Sequence, residues 1–134
     1  MEYRGDLMGH EWDNIVPVRL PVEWEYSGDP GIYPDIDGVT GRNVVLIIRK
    51  KFSRFEKILA RLLKAPKVVR RTMHHTQSML WELIDDERNF KSICEIMDSL
   101  YHEDVAPVDE RVKAYLEIFV NLRVVRLFKG REEE

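Results

Sequence analysis

The chain has 134 residues and a net charge of −3, with 44% hydrophobic and 34% charged residues, which excludes wholesale disorder and fits one globular domain over residues 1–134. Its single cysteine, Cys94, excludes an internal disulfide bond and is typical of a reducing compartment. Acids near the amino terminus and the shortness of the longest aliphatic run, residues 44–48, argue against a secretory signal and a membrane span, so we predict a cytoplasmic protein.

Two strands are predicted in the first part of the chain. Residues 15–26 alternate apolar and polar side chains, a pattern typical of a strand with one buried face. Pro17 and Pro21 restrict this strand to a sheet edge, because proline has no backbone N–H to donate to a neighbour. After a long loop rich in glycine and proline, residues 43–51 predict a second strand.

A basic amphipathic helix is predicted from Ser53, its N-cap, to Ala65. Apolar side chains recur at helical spacing on one side, and lysines and arginines occupy the other. We expect the helix to pack on the rest of the domain through Phe55, Ile58 and Leu62. The alternative is adsorption to an anionic membrane, for which such helices are also suited.

The positive charge of the chain is concentrated in one segment, residues 49–71. This basic segment contains ten lysines or arginines and one acid, Glu56, and so carries a charge of +9, whereas the remainder carries −12. Such segregation favours a surface that meets an anionic partner, although a basic face that is simply solvated gives the same pattern.

The second half of the chain predicts a third strand, three helices and a candidate for a further short strand. Asn89 is suited to cap the second of these helices, and Pro107 stands at the favoured first position of the last. Trp81, in the first, is expected to be buried against the other two. In chain order the predicted elements are residues 67–73, about 76–84, the helix after Asn89, the helix from Pro107 to about Leu122, and residues 124–128.

Few residues are candidates for metal binding or catalysis. His74 and His75 are adjacent, and in an extended segment their rings would point to opposite faces, which disfavours a shared metal ion. Cys94 stands among aliphatic residues and is expected in the core, while Asp85 and Asp86 follow a helix end, where acids usually shape a turn. We therefore predict no catalytic residues, no metal, no cofactor and no enzymatic activity.

The order of strands and helices is also typical of a winged helix that binds DNA, in which the last helix enters the major groove. That helix presents an outward face with more acid than base, the opposite of what the phosphates require. Nucleic-acid binding through the basic segment is kept as the alternative function. The residues expected to face inward are Val112, Leu116, Phe119 and Val120, and those expected outward are Asp109, Lys113, Glu117 and Asn121.

The segment TMHHTQSMLWELIDDERNFKSICEI, residues 72–96, resembles the PqqD family, named after the small protein of pyrroloquinoline quinone biosynthesis. The similarity covers about residues 68–128, and the strands and basic helix of residues 15–65 precede it, much as a basic helix does in long family members. His74, Gln77 and Asp86 depart from the family pattern, which has Asp or Asn, a small residue and a turn glycine there. The residues that fit are Met73, Ser78, Trp81, Leu83, Asp85, Phe90, Ile93, Pro107 and the helix after it.

This resemblance implies a winged-helix-like α+β fold, with a three-stranded antiparallel sheet, a three-helix unit and the extra basic helix. It also implies a non-enzymatic adaptor, a peptide chaperone or recognition element for ribosomally made and modified peptides. Such a module binds the leader of a precursor peptide and presents it to a modifying enzyme, commonly a radical S-adenosylmethionine enzyme, in cofactor or natural-product biosynthesis.

The third predicted strand would receive the peptide along its free edge, beside a groove formed with the last helix. Lys67, Arg70 and Arg71 would favour an acidic guest, or alternatively only keep the edge from aggregating. We expect no stable membrane association. The predicted peptide-binding residues are Val68, Val69, Arg70, Arg71, Thr72, Met73, His74, Arg111, Tyr115, Ile118 and Leu122.

Overall fold

A computed structural model describes residues 11–28, 35–36, 38–49, 54–63 and 68–130 of the chain. Within these ranges the fold is α+β, with a three-stranded antiparallel sheet and several helices, as the sequence predicts. A short 3₁₀ turn spans His102–Val105. The strands are β1 (Ile15–Arg19), β2 (Glu23–Ser27), β3 (Asn43–Arg49), β4 (Val68–Thr72) and β5 (Val125–Lys129), and the helices are α1 (Arg54–Leu63), α2 (His75–Leu83), α3 (Phe90–Tyr101) and α4 (Val108–Asn121).

The strands form two sheets. β2, β3 and β4 pair in that order, all antiparallel, while β1 pairs with β5 in a separate two-stranded sheet. The prediction of one strand over residues 15–26 was therefore wrong, because the chain leaves β1 around Pro21 and enters a different sheet as β2. Pro17 is tolerated in β1 since both strands of a two-stranded sheet are edges. The candidate strand near the carboxyl end is confirmed as β5.

The helices of the second half begin and end close to the predicted residues. Asn89 caps α3, and its side-chain oxygen accepts a hydrogen bond from the backbone N–H of Ser92 over 2.8 Å. Pro107 occupies the cap position of α4, one residue earlier than predicted. Capping groups and helix-breaking residues are local signals, so the sequence alone defines these boundaries well.

Trp81 lies at the centre of the core and is fully buried. Its ring meets Phe119 of α4 edge-on at a centroid distance of 5.7 Å, so its expected burial against the last helix is confirmed. A second edge-on contact, at 6.0 Å, comes from Trp24 of β2, which the sequence did not predict. Aromatic pairs of this geometry add to the free energy of burial, so Trp81 joins the sheet to the helices.

A buried carboxylate fixes the chain just before β3. Glu82 of α2 is 6% exposed and accepts hydrogen bonds from the backbone N–H groups of Thr40 over 2.7 Å and Gly41 over 2.9 Å. The hydroxyl groups of Thr40 and Tyr26 also donate to it, at 3.1 Å and 3.0 Å. Partial burial, together with this nearby carboxylate, raises the pKa of Tyr26. Glu82 is thus tied to the loop ahead of β3 and to β2.

Asp85 and Asp86 shape the turn after α2, as predicted. Asp85 Oδ1 accepts hydrogen bonds from the N–H groups of Glu87 over 3.0 Å and Arg88 over 2.7 Å. Asp86 has a φ of 68°, in the left-handed region that Asp tolerates better than most residues, and accepts a hydrogen bond from the N–H of Arg19. The turn therefore needs the backbone conformation for which glycine is the usual residue.

The helical nature of the basic segment is confirmed over α1, but its expected packing was wrong. Ile58 and Leu62 are 60% and 74% exposed, so neither is buried against the described part of the domain. Ser53 and the side chain of Phe55 lie outside the described residues. An amphipathic pattern determines which side of a helix is apolar, but not what covers that side.

Truncation of Trp81 tests the core. We expect Trp81→Ala to lower the free energy of unfolding by about 3–5 kcal/mol in urea denaturation, because a large cavity replaces the ring. Trp81→Phe, which keeps an aromatic ring and removes a buried indole N–H without a hydrogen-bond partner among the described residues, should cost clearly less. An alanine variant with the wild-type unfolding midpoint would contradict this assignment.

Candidate functional site

β4 is an edge strand of the β2–β3–β4 sheet, and no described strand pairs with its outer side. The N–H of Met73 donates to the carbonyl of Val44 over 2.9 Å, so these two residues form a hydrogen-bonded pair. Because such pairs alternate along an antiparallel ladder, Arg71 also directs its backbone groups toward β3. The N–H and C=O groups of Arg70 and Thr72 consequently point away from the sheet, where another strand could pair with them.

Ser78 of α2 fixes the end of this edge. Its Oγ accepts a hydrogen bond from the N–H of Val44 over 2.9 Å and donates to the carbonyl of Met73 over 3.3 Å. The hydroxyl therefore replaces the direct bond that would otherwise close the ladder. The Met73 side chain is 2% exposed, so this residue belongs to the core rather than to the exposed edge.

Arg70 and Arg71 project from opposite faces of the sheet. Arg71 is paired with Leu46, a core residue, and therefore lies on the face that carries the helices, where it is exposed. Arg70 lies on the other face and forms an ion pair with Glu25 of β2, both side chains being largely exposed. Exposed pairs of this kind stabilise little. Lys67 lies outside the described residues.

The middle of α4 meets the start of α2, which follows β4 in the chain. The hydroxyl of Tyr115 is 3.1 Å from that of Thr76, which is 3.2 Å from Nδ1 of His74. Thr76 was not among the predicted site residues, and only its position just after the strand could have indicated it. The remaining predicted residues of α4 lie at helical spacing with Tyr115: Arg111 is exposed, and Tyr115, Ile118 and Leu122 are half-buried against the core.

Val68, Val69, Thr72 and His74 complete the predicted set. Val68 and Val69 are half-buried, whereas Thr72 and His74 are exposed. The structure therefore links Tyr115 of α4 to the start of α2, just after β4, through the polar contacts of Thr76 and His74. The result is a strand edge with outward backbone groups, followed in the chain by Thr76, which contacts the half-buried Tyr115 of α4.

The two adjacent histidines do not point to opposite faces. Their ring centroids are 4.0 Å apart, because the chain turns from β4 into α2 at this point instead of continuing as an extended segment. The ring of His75 also packs near Tyr101, with a centroid distance of 5.7 Å. Over the ranges that the structure describes, no group of three or more metal-ligating side chains is assembled.

Cys94 is a core residue in an environment that opposes reactivity. Burial raises the pKa of its thiol to about 12, and the carboxylates of Asp109 and Asp13 act in the same direction. A thiol with this pKa stays protonated near neutral pH, whereas nucleophilic cysteines require the thiolate. A shallow cavity of about 230 Å³ lies next to it, lined in part by these acids and by Glu95.

Lys113 was wrongly placed on the outward face of α4. It is 6% exposed, and its ammonium group lies 5.1 Å from the ring centroid of Trp12 and 5.8 Å from that of Phe90. Burial lowers the pKa of Lys113, and neighbouring acids led by Asp109 oppose this shift. The outward face of α4 thus loses its one predicted cation.

The inward face of α4 is mostly confirmed. Val112, Leu116 and Phe119 are buried, whereas Val120 is 38% exposed, contrary to expectation. The exposed side retains Asp109, Glu117 and Asn121, which makes α4 a poor helix for a phosphate-lined groove.

Comparison of the chain with protein-family models, with curated proteins and with solved structures found no match in any of the three. None of the helices among the described residues has both the length and the apolar content needed to cross a membrane.

The histidine pair makes a prediction about pH. Partial burial lowers the pKa of His75 below 6.5, and His74 lowers it further, while Asp104 opposes both effects. Because this folded-state pKa lies below the unfolded one, the contribution of His75 to stability is complete above about pH 6.5 and decreases as the pH falls through the folded-state value.

We expect an NMR titration of the wild-type protein to show His75 with a midpoint below 6.5. In His74→Ala the midpoint should rise, because the electrostatic effect of His74 on His75 is removed. Equal midpoints in the two proteins would show that the two rings do not interact.

Proposed function

We propose that this chain is a non-enzymatic, cytoplasmic peptide-binding adaptor. In this proposal the leader of a precursor peptide adds a strand to β4 and is presented to a modifying enzyme, such as a radical S-adenosylmethionine enzyme. One observation carries the proposal: the outward backbone groups of Arg70 and Thr72 lie on an edge that no described strand covers. The resemblance to the PqqD family supports the same role.

Strand addition suits this surface for a physical reason. Backbone hydrogen bonds give a guest strand affinity without regard to its sequence, and pockets for alternate side chains provide selectivity. In this proposal the half-buried side chains of Tyr115, Ile118 and Leu122 would supply the apolar contacts for the guest. A guest of about six residues would bury on the order of 1,000 Å² in total, which is compatible with roughly micromolar affinity.

The charges around the edge favour an acidic guest. Arg71 is exposed on the helix-bearing face, and Arg111 is exposed on α4, so a carboxylate near either cation would be stabilised. Arg70 contributes less in this arrangement, because its guanidinium is engaged by Glu25 on the opposite face. Selectivity for acid would therefore come mainly from the helix-bearing side.

Nucleic-acid binding is the second candidate, favoured by the +9 charge of the basic segment. α4 argues against the usual winged-helix mode, since Lys113 is buried and the exposed side carries Asp109 and Glu117. Duplex binding would therefore have to use α1 and its neighbours, and it would weaken steeply with salt.

The contribution of α4 to the proposed site is tested with Tyr115. A synthetic leader peptide, taken from a precursor encoded beside the gene for this chain, should shift the amide resonances of residues 68–74 and of α4. Tyr115→Ala should weaken binding by about 1–3 kcal/mol, since a large aromatic contact is lost. Glu117→Ala, an exposed position two residues along α4, serves as the matched control and should bind like wild type. Shifts confined to β3 and α1, produced by duplex DNA and not by peptide, would favour the second candidate.

The backbone side is tested with proline. Arg70→Pro removes an N–H that points away from β3, so the sheet should tolerate it while a guest strand loses a hydrogen-bond donor. Calorimetry should show at least about a tenfold weaker affinity than for Arg70→Ala, which lacks the same ion pair but keeps the N–H. Equal affinities for these two variants would rule out strand addition at Arg70.

A further inference from the structure

α1 exposes its apolar side to solvent. Ile58 and Leu59 are 60% and 40% exposed, and Leu62 and Leu63 are 74% and 75% exposed. With 3.6 residues per turn, these four positions share one side of the helix. Most buried apolar side chains of the described residues belong to one core cluster, and none of these four is part of it.

The other side of the same helix is basic. Lys57 and Arg61 are exposed and lie one turn apart, away from the leucines. The helix belongs to the basic segment, residues 49–71, whose charge is +9. An exposed aliphatic side next to exposed cations is the combination that stabilises a helix at the boundary between anionic headgroups and acyl chains.

We propose that α1 binds anionic phospholipid membranes by lying flat in the interface. Ile58, Leu59, Leu62 and Leu63 enter the outer part of the acyl region, while Lys57 and Arg61 remain at the level of the lipid phosphates. This surface is distinct from the β4 edge, and the proposal does not depend on peptide binding.

The dimensions of α1 exclude a membrane-spanning arrangement. Ten residues form a helix of about 15 Å, which is half the thickness of the hydrocarbon core, about 30 Å. An interfacial helix needs no such length, because only its apolar side leaves water.

A second copy of the chain is a less suitable occupant for this patch. Four aliphatic side chains on one short helix are few compared with the roughly 20–30 residues that each partner contributes to a specific protein interface. Face-to-face pairing of two copies would also bring two segments of +9 charge together. An anionic surface removes both difficulties, since it neutralises the cations and accepts the apolar side chains.

Co-sedimentation of the full chain with vesicles tests the proposal. Vesicles of phosphatidylcholine with about 30% phosphatidylserine are compared with pure phosphatidylcholine at about 0.15 M salt. We expect binding to the anionic vesicles only, and at least about a tenfold lower bound-to-free ratio for Leu62→Glu, because a charged group cannot enter the acyl region. If binding requires insertion of the apolar side chains and not charge alone, Leu62→Lys should also bind the anionic vesicles more weakly, although it adds a positive charge.

Phe128→Glu is the matched control, since it makes the same kind of change at a side chain of β5 that is 49% exposed. It should keep wild-type vesicle binding, and circular dichroism should show all three variants folded. Absence of binding to anionic vesicles overturns the proposal, as does binding that Leu62→Glu leaves unchanged. Sedimentation velocity is run in parallel without lipid: a dimer that Leu62→Glu dissociates, together with no vesicle binding, would identify a second copy as the occupant.

Discussion

The fold depends on two hydrogen-bonding side chains of α2, Ser78 and Glu82, which lie one helical turn apart and reach into the sheet. The Ser78 hydroxyl accepts a hydrogen bond from the N–H of Val44 and donates one to the carbonyl of Met73. The Glu82 carboxylate accepts hydrogen bonds from the N–H groups of Thr40 and Gly41, just before β3. A buried backbone N–H that loses its acceptor costs about 1–3 kcal/mol, so neither contact is easily exchanged for another packing. Together they fix α2 against β3 and β4 in position and in rotation.

The aromatic core extends this constraint from α2 to the last helix. Trp81 meets the sheet through Trp24 and the last helix through Phe119, so fixing α2 also determines where α4 lies. The guanidinium of Arg19, at the end of β1, lies 5.3 Å and 5.5 Å from the ring centroids of Trp24 and Trp81, which ties the small β1–β5 sheet to the same centre. α2 and α4, which also meet at Thr76 and Tyr115, are consequently held in one arrangement by the core.

The sequence predicts those features that depend on local chemistry. Asn89 as a cap, Asp85 and Asp86 as turn residues, and buried Trp81 all follow from short-range patterns or from periodicity. The division of residues 15–26 into two strands was missed, because alternation is the same whichever sheet a strand joins. Strand partners are long-range information, and hydropathy does not encode them.

The errors at the candidate site have a related origin. Lys113 is buried over two aromatic rings, although helical spacing alone assigns it to the surface; a lysine can bury its aliphatic stem wherever the core offers a ring to the ammonium. Thr76 and Glu82 form their hydrogen bonds with partners about forty residues away in the chain, so the local sequence around either residue does not predict these contacts. For α1 the helix was predicted correctly, but its packing on the rest of the domain was not, since an amphipathic pattern describes a helix and not its surroundings.

The two proposed surfaces are consecutive in the chain, which has a mechanical consequence. Only residues 64–67 separate α1 from β4, and four residues extend over at most about 14 Å. An α1 that lies in a membrane interface would therefore keep the β4 edge close to the lipid surface, where a charge of +9 attracts acidic segments and anionic headgroups alike. Arg71 lies on the helix-bearing face of the sheet, whereas Lys57 and Arg61 belong to α1, so in the two proposals different cations would contact the guest and the lipid. If both proposals hold, this separation would let the chain keep an acidic peptide while it is adsorbed, instead of exchanging one anionic partner for the other.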